Sequence, residues 1–293
     1  MTAETAQEDE ARTVLYDVGD DGVALITLNR PERKNAWNPV MERRFNDVLD
    51  EADHDPRVRV AVLTGAGSAF CPGVDIQRLD DIAGLPMDTT GRSVPSRSHA
   101  FRKPLIAAIN GPCAGLGLVQ ALLCDVRFMA RGTRLSTAFA KRGLPAEYGV
   151  SWLLPRVVGI ERAMDLMLTG RAVDADEALR IGLVAYVVEP EELVASARRY
   201  AADIAANCAP TSLALIKHQT LTDLDVDFEG AIHKAYRTMA YTATSNDFRE
   251  GVDSYVEKRP PAFPPLPDDF DPAAITGADM PAAHLAADQA GKA

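Results

Sequence analysis

The chain has 293 residues, 47% of them hydrophobic, and a formal net charge of −11. That is enough apolar material for one large domain with a smaller appended part, and the acidic balance disfavours nonspecific nucleic-acid binding. No apolar stretch approaches the roughly 20 residues that cross a bilayer, no signal peptide is visible, and Cys71, Cys113, Cys124 and Cys208 lack paired metal-ligand spacing, so a cytoplasmic protein with reduced thiols and no membrane partner is expected.

In chain order, a strand is predicted at 23–28, a helix over 41–52 and a second strand at 58–64. The second strand runs into Gly65-Ala66-Gly67-Ser68-Ala69-Phe70-Cys71-Pro72-Gly73-Val74-Asp75-Ile76, a glycine-rich turn opening onto a short helix. Residues 86–98, rich in Thr, Ser, Gly and Pro, read as a mobile loop. A charge-free run at 105–110 then ends at Gly111-Pro112-Cys113-Ala114-Gly115-Leu116-Gly117 and gives way to a buried helix at 118–123. Two loops of one type thus follow two similar strands. Such junctions aim unpaired backbone N–H groups and the positive end of a helix outward, and glycines let a carbonyl oxygen come close, which makes a candidate oxyanion site. The competing reading is a tight turn in which glycine only relieves crowding. A dinucleotide fingerprint is excluded, because G-x-G-x-x-G needs glycine where Phe70 stands, and no G-x-x-x-x-G-K-[ST] phosphate loop occurs.

Further strands are predicted at 125–130 and 183–188. Between them Asp174 reads as a helix cap with Glu177 returning the bond, a structural role for both acids. Helical periodicity follows over 191–207, 211–220 and 228–241, with Leu213, Leu215, Ile216, Ile232, Ala235 and Met239 as packing faces. From 261 onward Pro, Ala and Asp dominate. The organisation read from the chain is an α/β core over 1–205, a helical region over 206–263 and a flexible tail over 264–293.

Several ordered motifs carry a resemblance: Ile26-Thr27-Leu28-Asn29-Arg30-Pro31 with Lys34-Asn35-Ala36, the stretch Gly65 to Asp75, then Ala108-Ile109-Asn110-Gly111 through Asp125, Leu153-Leu154-Pro155-Arg156, and Glu250-Gly251 with Glu257-Lys258-Arg259-Pro260. In these the chain resembles the enoyl-CoA hydratase/isomerase (crotonase) superfamily over about 23–263. The resemblance implies an α/β fold, a spiral of ββα units, with a C-terminal helical region that packs trimers, commonly paired into hexamers. It implies an acyl-CoA thioester substrate whose oxygen is held by the N–H groups of Val74 and Leu116. Most relatives have glycine at the second position, so Leu116 is a departure. The CoA is expected along Arg33, Lys34, Asn35 and Ala36, with Asp75 and Ile76 nearby and Tyr255 and Lys258 reaching the CoA of a neighbouring subunit. No cofactor is implied beyond the coenzyme A moiety of the substrate.

Many hydratases of the superfamily add water with two glutamates, and those motif positions hold Val119 and Phe139 here. Neither side chain can move a proton. What remains is Glu147, in a stretch that looks like the segment where enoyl-CoA isomerases and ring-processing epoxide isomerases carry a single Glu or Asp. A carboxylate in an apolar pocket is a better base than a solvated one, and one base suffices to move a proton between carbons while an oxyanion hole holds the enolate. The competing reading makes Glu147 a cap for the helix running toward Leu154. Val119, Phe139, Tyr148 and Trp152 are expected to wall the acyl pocket. Cys71 and Cys113 each lie beside a loop donor, offering thiolate chemistry against the bland reading of inert buried thiols. His54, His99, His218, His233 and His284 show no metal spacing, and no metal is expected. Double-bond isomerisation through a thioester enolate is the leading expectation, with hydration or hydrolysis through a Glu147-oriented water, or a catalytically silent acyl-CoA-binding protein, as alternatives.

Overall fold

A computed structural model describes residues 10–82 and 96–277. Most of the loop expected at 86–98 lies outside the described residues; its end begins a short helix, Ser96–Ala100, in which Ser98 is buried. The chain divides into two compact units, 1–205 and 206–293.

In the first unit nine strands form two sheets. β1 (Val14–Val18), β2 (Val23–Leu28), β3 (Val60–Gly65), β4 (Leu105–Ile109), β6 (Val126–Ala130) and β9 (Tyr186–Val188) form a six-stranded sheet in the order β1-β2-β3-β4-β6-β9. Only β1 runs antiparallel to its neighbour. β5 (Cys113–Ala114), β7 (Arg134–Ser136) and β8 (Val173–Asp174) make a small second sheet. A parallel sheet covered on both faces needs strands that are apolar on both, and β3 and β4 are buried along their whole length. Successive side chains alternate between two cores: Ala61, Leu63, Leu105, Ala107 and Ile109 join one, and Val60, Val62, Ile106 and Ala108 the other.

The helix Pro39–His54 covers the first core. It starts where the Asn38 side chain accepts the Met41 N–H at 2.9 Å, and its buried stripe is Met41, Phe45, Val48, Leu49 and Ala52. Asp174 caps the helix Ala175–Arg180 by accepting the Glu177 N–H at 2.8 Å, as its sequence position predicts. Glu177 does not return the bond. Its carboxylate instead takes two hydrogen bonds from Arg171, at 2.7 and 2.8 Å, because a bidentate guanidinium outcompetes a single backbone N–H.

The second unit contains the helices Pro210–Thr222, Phe228–Thr242, Asn246–Glu257 and Pro272–Gly277. Its core is small: Ala214, Leu215, Leu266 and Phe270, with Ile275 packed against them. The tail expected to be flexible from 264 differs over 264–277, where Leu266 and Phe270 are buried and Arg237 Nε donates to the Thr276 carbonyl at 2.7 Å. Two large apolar side chains suffice to dock it. Ile216 and Met239, read as packing faces, are more than half exposed in this unit. Among the described residues no helix is long and apolar enough to cross a membrane. Replacing Phe270 by Ala should cost about 3 kcal/mol in urea unfolding of the full chain; no loss of stability would mean that the segment after 264 is not docked.

Candidate active site

The loops after β3 and β4 leave the carboxyl ends of adjacent parallel strands, where open α/β sheets place their ligands. Two buried amides shape the first loop. Asn35 is fully buried with φ of 62°, a left-handed conformation that asparagine tolerates. Its Oδ1 accepts the Arg30 N–H at 2.8 Å, and its Nδ2 donates to the carbonyls of Ala66 and Ala69 at 2.9 and 2.8 Å. From the other side Asn110 accepts the Gly65 N–H at 3.1 Å and donates to the Gly67 carbonyl at 3.0 Å. Asn35 appears in the sequence only as part of a family landmark, and its clamping role depends on partners some 30 residues away.

The two loops then pack backbone to backbone. Cys71 N–H donates to the Pro112 carbonyl at 3.2 Å, and Ala114 N–H to the Cys71 carbonyl at 2.9 Å. A Cβ on Gly117 would lie 2.1 Å from the Cys71 oxygen, and one on Gly111 2.2 Å from the Ser68 oxygen. Nothing larger than hydrogen fits at either position. A Cβ on Gly73 would lie 3.5 Å from the Leu116 nitrogen, so the Val74 and Leu116 peptides are near neighbours.

Both N–H groups remain available. The bridge between Trp37 and Val74 uses Trp37 N–H to the Gly73 carbonyl at 2.8 Å and Asp75 N–H to the Trp37 carbonyl at 2.9 Å, leaving the Val74 N–H outside it. Leu116 opens the helix Leu116–Leu122, whose first N–H groups have no acceptor within the helix. The Leu116 side chain is 2% exposed and packed into the core, which accommodates the departure from glycine.

These loops face a cavity of about 450 Å³. Arg33, Lys34, Ala36, Val74, Asp75, Ile76, Leu116, Phe139, Glu147 and Tyr148 all line it. Val119 does not; it is fully buried within the helix Leu116–Leu122. Trp152 is also absent from the wall: its ring meets His99 edge-on at 6.5 Å, with the Arg156 guanidinium 4.0 Å from its centroid. The helix Val150–Val158 carries Trp152 away from Glu147, a direction that one sequence does not reveal. Tyr255 and the C-capping Lys258 belong to the helical unit, where both are exposed.

Of the carboxylates at the cavity, Asp75 is buried and ion-paired with Arg30 and Arg33, each at 3.5 Å, and accepts the Gln77 N–H at 3.3 Å. Glu32 is exposed, next to Arg33. Glu147 is half-buried and has no hydrogen bond or ion pair among the described residues; loss of water holds its carboxyl above the usual 4.5. It makes no side-chain cap to the following helix, whose N-cap is Gly149.

Unusual backbone presents this wall. Val150 N–H donates to the Glu147 carbonyl at 3.1 Å across Tyr148 and Gly149, with φ of 53° and 77°, the sign pattern of a type I′ turn. Phe139 N–H donates to the Thr137 carbonyl at 2.8 Å across Ala138, φ 59°, a γ-turn of the rarer hand. Such residues cost about 1 to 3 kcal/mol each unless the surroundings hold them. Phe139 is thereby set against the second loop, its ring 3.9 Å from where Gly115 would carry a Cβ.

The cysteines are unsuited to nucleophilic work, because burial pushes the Cys71 thiol up to about 12 and raises Cys113 well above its ordinary value. Among the described residues no cluster of His, Cys, Asp and Glu could hold a metal ion.

The spiral α/β core, the interlocked loops and the cavity in front of them define a crotonase-type fold and site. Residues 19–265 match the family described as enoyl-CoA hydratase/isomerase. The chain is 37% identical over 255 residues to 1,2-epoxyphenylacetyl-CoA isomerase of Escherichia coli, covering 83% of this chain and 95% of that protein. It is 36% identical over 244 residues to (E)-benzylidenesuccinyl-CoA hydratase of Thauera aromatica, covering 82% and 95%. The crystal structure of an enoyl-CoA hydratase from Bacillus anthracis superposes with a TM-score of 0.80 at 29% identity, covering 86% of this chain and 99% of that one. The chain belongs to the enoyl-CoA hydratase/isomerase family and is an acyl-CoA enzyme of that type.

Because Gly117 touches Cys71 without itself donating to the cavity, Gly117→Ala should separate the loops, costing about 1 to 3 kcal/mol of stability and about 10-fold or more in turnover. Calorimetry and acyl-CoA turnover check this, and native turnover would contradict the interlock.

Proposed function

We propose that this enzyme shifts a double bond in an acyl-CoA thioester, with Glu147 as the single base and the Val74 and Leu116 N–H groups as the oxyanion hole. The observation that carries the reading is the carboxylate inventory of the cavity. Asp75 is neutralised by two arginines, Glu32 sits exposed beside Arg33, and Glu147 alone is half-buried without a counter-ion. With Val119 and Phe139 apolar, no second carboxylate without a counter-ion is half-buried at the cavity among the described residues to support the concerted addition of water.

In this mechanism the thioester oxygen accepts the two N–H groups, which are fixed before substrate arrives and strengthen as negative charge develops. Glu147 removes a proton from the carbon next to the thioester or two carbons beyond it, giving the enolate. The same carboxyl then returns the proton at the other end, so the double bond moves and the enzyme ends as it began. Lys34 and Arg33 supply point charge for CoA phosphates, which an acidic protein otherwise repels. In the proposal Ala36, Asp75 and Ile76 border the CoA, Tyr255 and Lys258 serve the CoA of a neighbouring subunit in a trimer or hexamer, and Phe139 and Tyr148 wall the acyl end. No cofactor beyond the substrate's CoA is required. Relatives named as hydratases favour water addition, with Glu147 orienting the water, as the second reading.

Turnover on 2-enoyl, 3-enoyl and aromatic acyl-CoA thioesters separates the readings. Isomerisation predicts interconversion without a mass gain of one water. Glu147→Gln should lower kcat by about 100-fold or more with thioester binding intact. Because the ionised carboxylate is the active form, activity should fall as pH drops through a value above 4.5. A variant with native rates would return Glu147 to a structural role.

A further inference from the structure

We propose that Tyr148 is a positioning residue, its ring anchoring a left-handed turn that fixes the direction of the Glu147 side chain. The inference rests on the reading of Glu147 as base. Type I′ turns favour Asn or Gly at both central positions, because positive φ there brings Cβ against the backbone. Here the second central residue is Gly149, but the first is a tyrosine with φ of 53°. A bulky aromatic does not hold that conformation by preference.

Its surroundings supply the reason. Tyr148 packs against the main core cluster together with its neighbours Leu144 and Trp152, while also lining the cavity. The turn is closed by the Val150 N–H on the Glu147 carbonyl, and Val150 is itself fully buried. Downstream, the Trp152 and Leu153 N–H groups both donate to the Gly149 carbonyl at 3.0 Å, fixing the exit into the helix. Among the described residues Glu147 has no side-chain partner to orient it. Its carboxylate direction therefore depends on the backbone that Tyr148 holds. Strain concentrated beside a reacting group and held by packing is the arrangement that positions groups in active sites. The same device recurs at Ala138, after which the Phe139 ring lies against the Gly115 loop.

Tyr148→Asn separates the two functions, because asparagine accepts the left-handed backbone but removes the ring. Tyr148→Phe keeps the ring. The expected result for Tyr148→Asn is a fall in kcat of about 10-fold or more, since small misplacements of a base are costly, in addition to any rise in KM from the lost acyl-wall contact. The acid limb should move downward as water reaches the Glu147 carboxylate, whose charged neighbours around the cavity are Glu32, Arg33, Lys34, Asp75 and Arg142. Tyr148→Phe, which keeps the ring, should lower kcat clearly less than Tyr148→Asn does. A rise in KM with kcat unchanged in Tyr148→Asn would leave Tyr148 as an acyl-wall contact alone and overturn the proposal, as would a loss of kcat in Tyr148→Phe equal to that in Tyr148→Asn. The titration of Glu147 observed by carbon NMR in ligand-free native and Tyr148→Asn protein reads the positioning directly. It would decide the proposal even if an active Glu147→Gln enzyme removed the base assignment, and it also serves if Tyr148→Asn folds too poorly for kinetics and Tyr148→Gly replaces it.

Discussion

A methyl group on Gly117 would sit 2.1 Å from the Cys71 carbonyl oxygen, and that closeness is what places two backbone donors side by side. Each loop alone is a strand-to-helix turn with unpaired N–H groups. Interlocked through the Cys71 and Ala114 peptides, they become one rigid surface with the Val74 and Leu116 N–H groups exposed on it. Main-chain donors lose no side-chain entropy on binding a ligand oxygen. Asn35 and Asn110 extend the same constraint outward, tying the loop that carries Arg33 and Lys34 to the frame that carries Val74. The 32–36 segment and the two loops are thus parts of one hydrogen-bonded scaffold.

Charge is spread unevenly around the cavity. Arg33, Lys34 and the ion-paired Asp75 lie along the 32–36 and 72–77 segments, while the wall made by 137–148 carries Phe139, Leu144 and Tyr148 beside Glu147 and Arg142. Desolvation makes Glu147 the stronger base, at the cost of stability above its pKa, where a charged group stays partly buried. The Arg30 and Arg33 contacts balance the Asp75 charge.

Much of this was legible in the sequence, for identifiable reasons. The strands at the heart of the sheet are apolar on both faces, so β3 and β4 announce a covered parallel sheet without any partner being known. The glycines of both loops mark where backbone must approach backbone; by resemblance to the family, the register of the second loop assigns Val119, and the spacing back from Gly143 assigns Phe139, to the positions of a glutamate pair. Other features depend on distant contacts that leave no local trace. Tyr148 has no left-handed preference of its own, and its turn is visible only once the ring is seen packed on the core. Trp152 follows Glu147 closely in sequence but leaves the cavity with its helix and meets His99 instead. The docking of 264–277 hangs on Leu266 and Phe270 finding Ala214 and Leu215, some 50 residues away, in a stretch whose composition reads as a free tail.

The central claim is that one carboxylate and two backbone donors suffice to form a thioester enolate. The most direct measurement is solvent deuterium exchange into a saturated acyl-CoA thioester, which can enolise but has no double bond to move. The account predicts that the native enzyme washes deuterium into the carbon beside the thioester and that Glu147→Gln abolishes the exchange while still binding the ligand. Undiminished exchange in Glu147→Gln would contradict it.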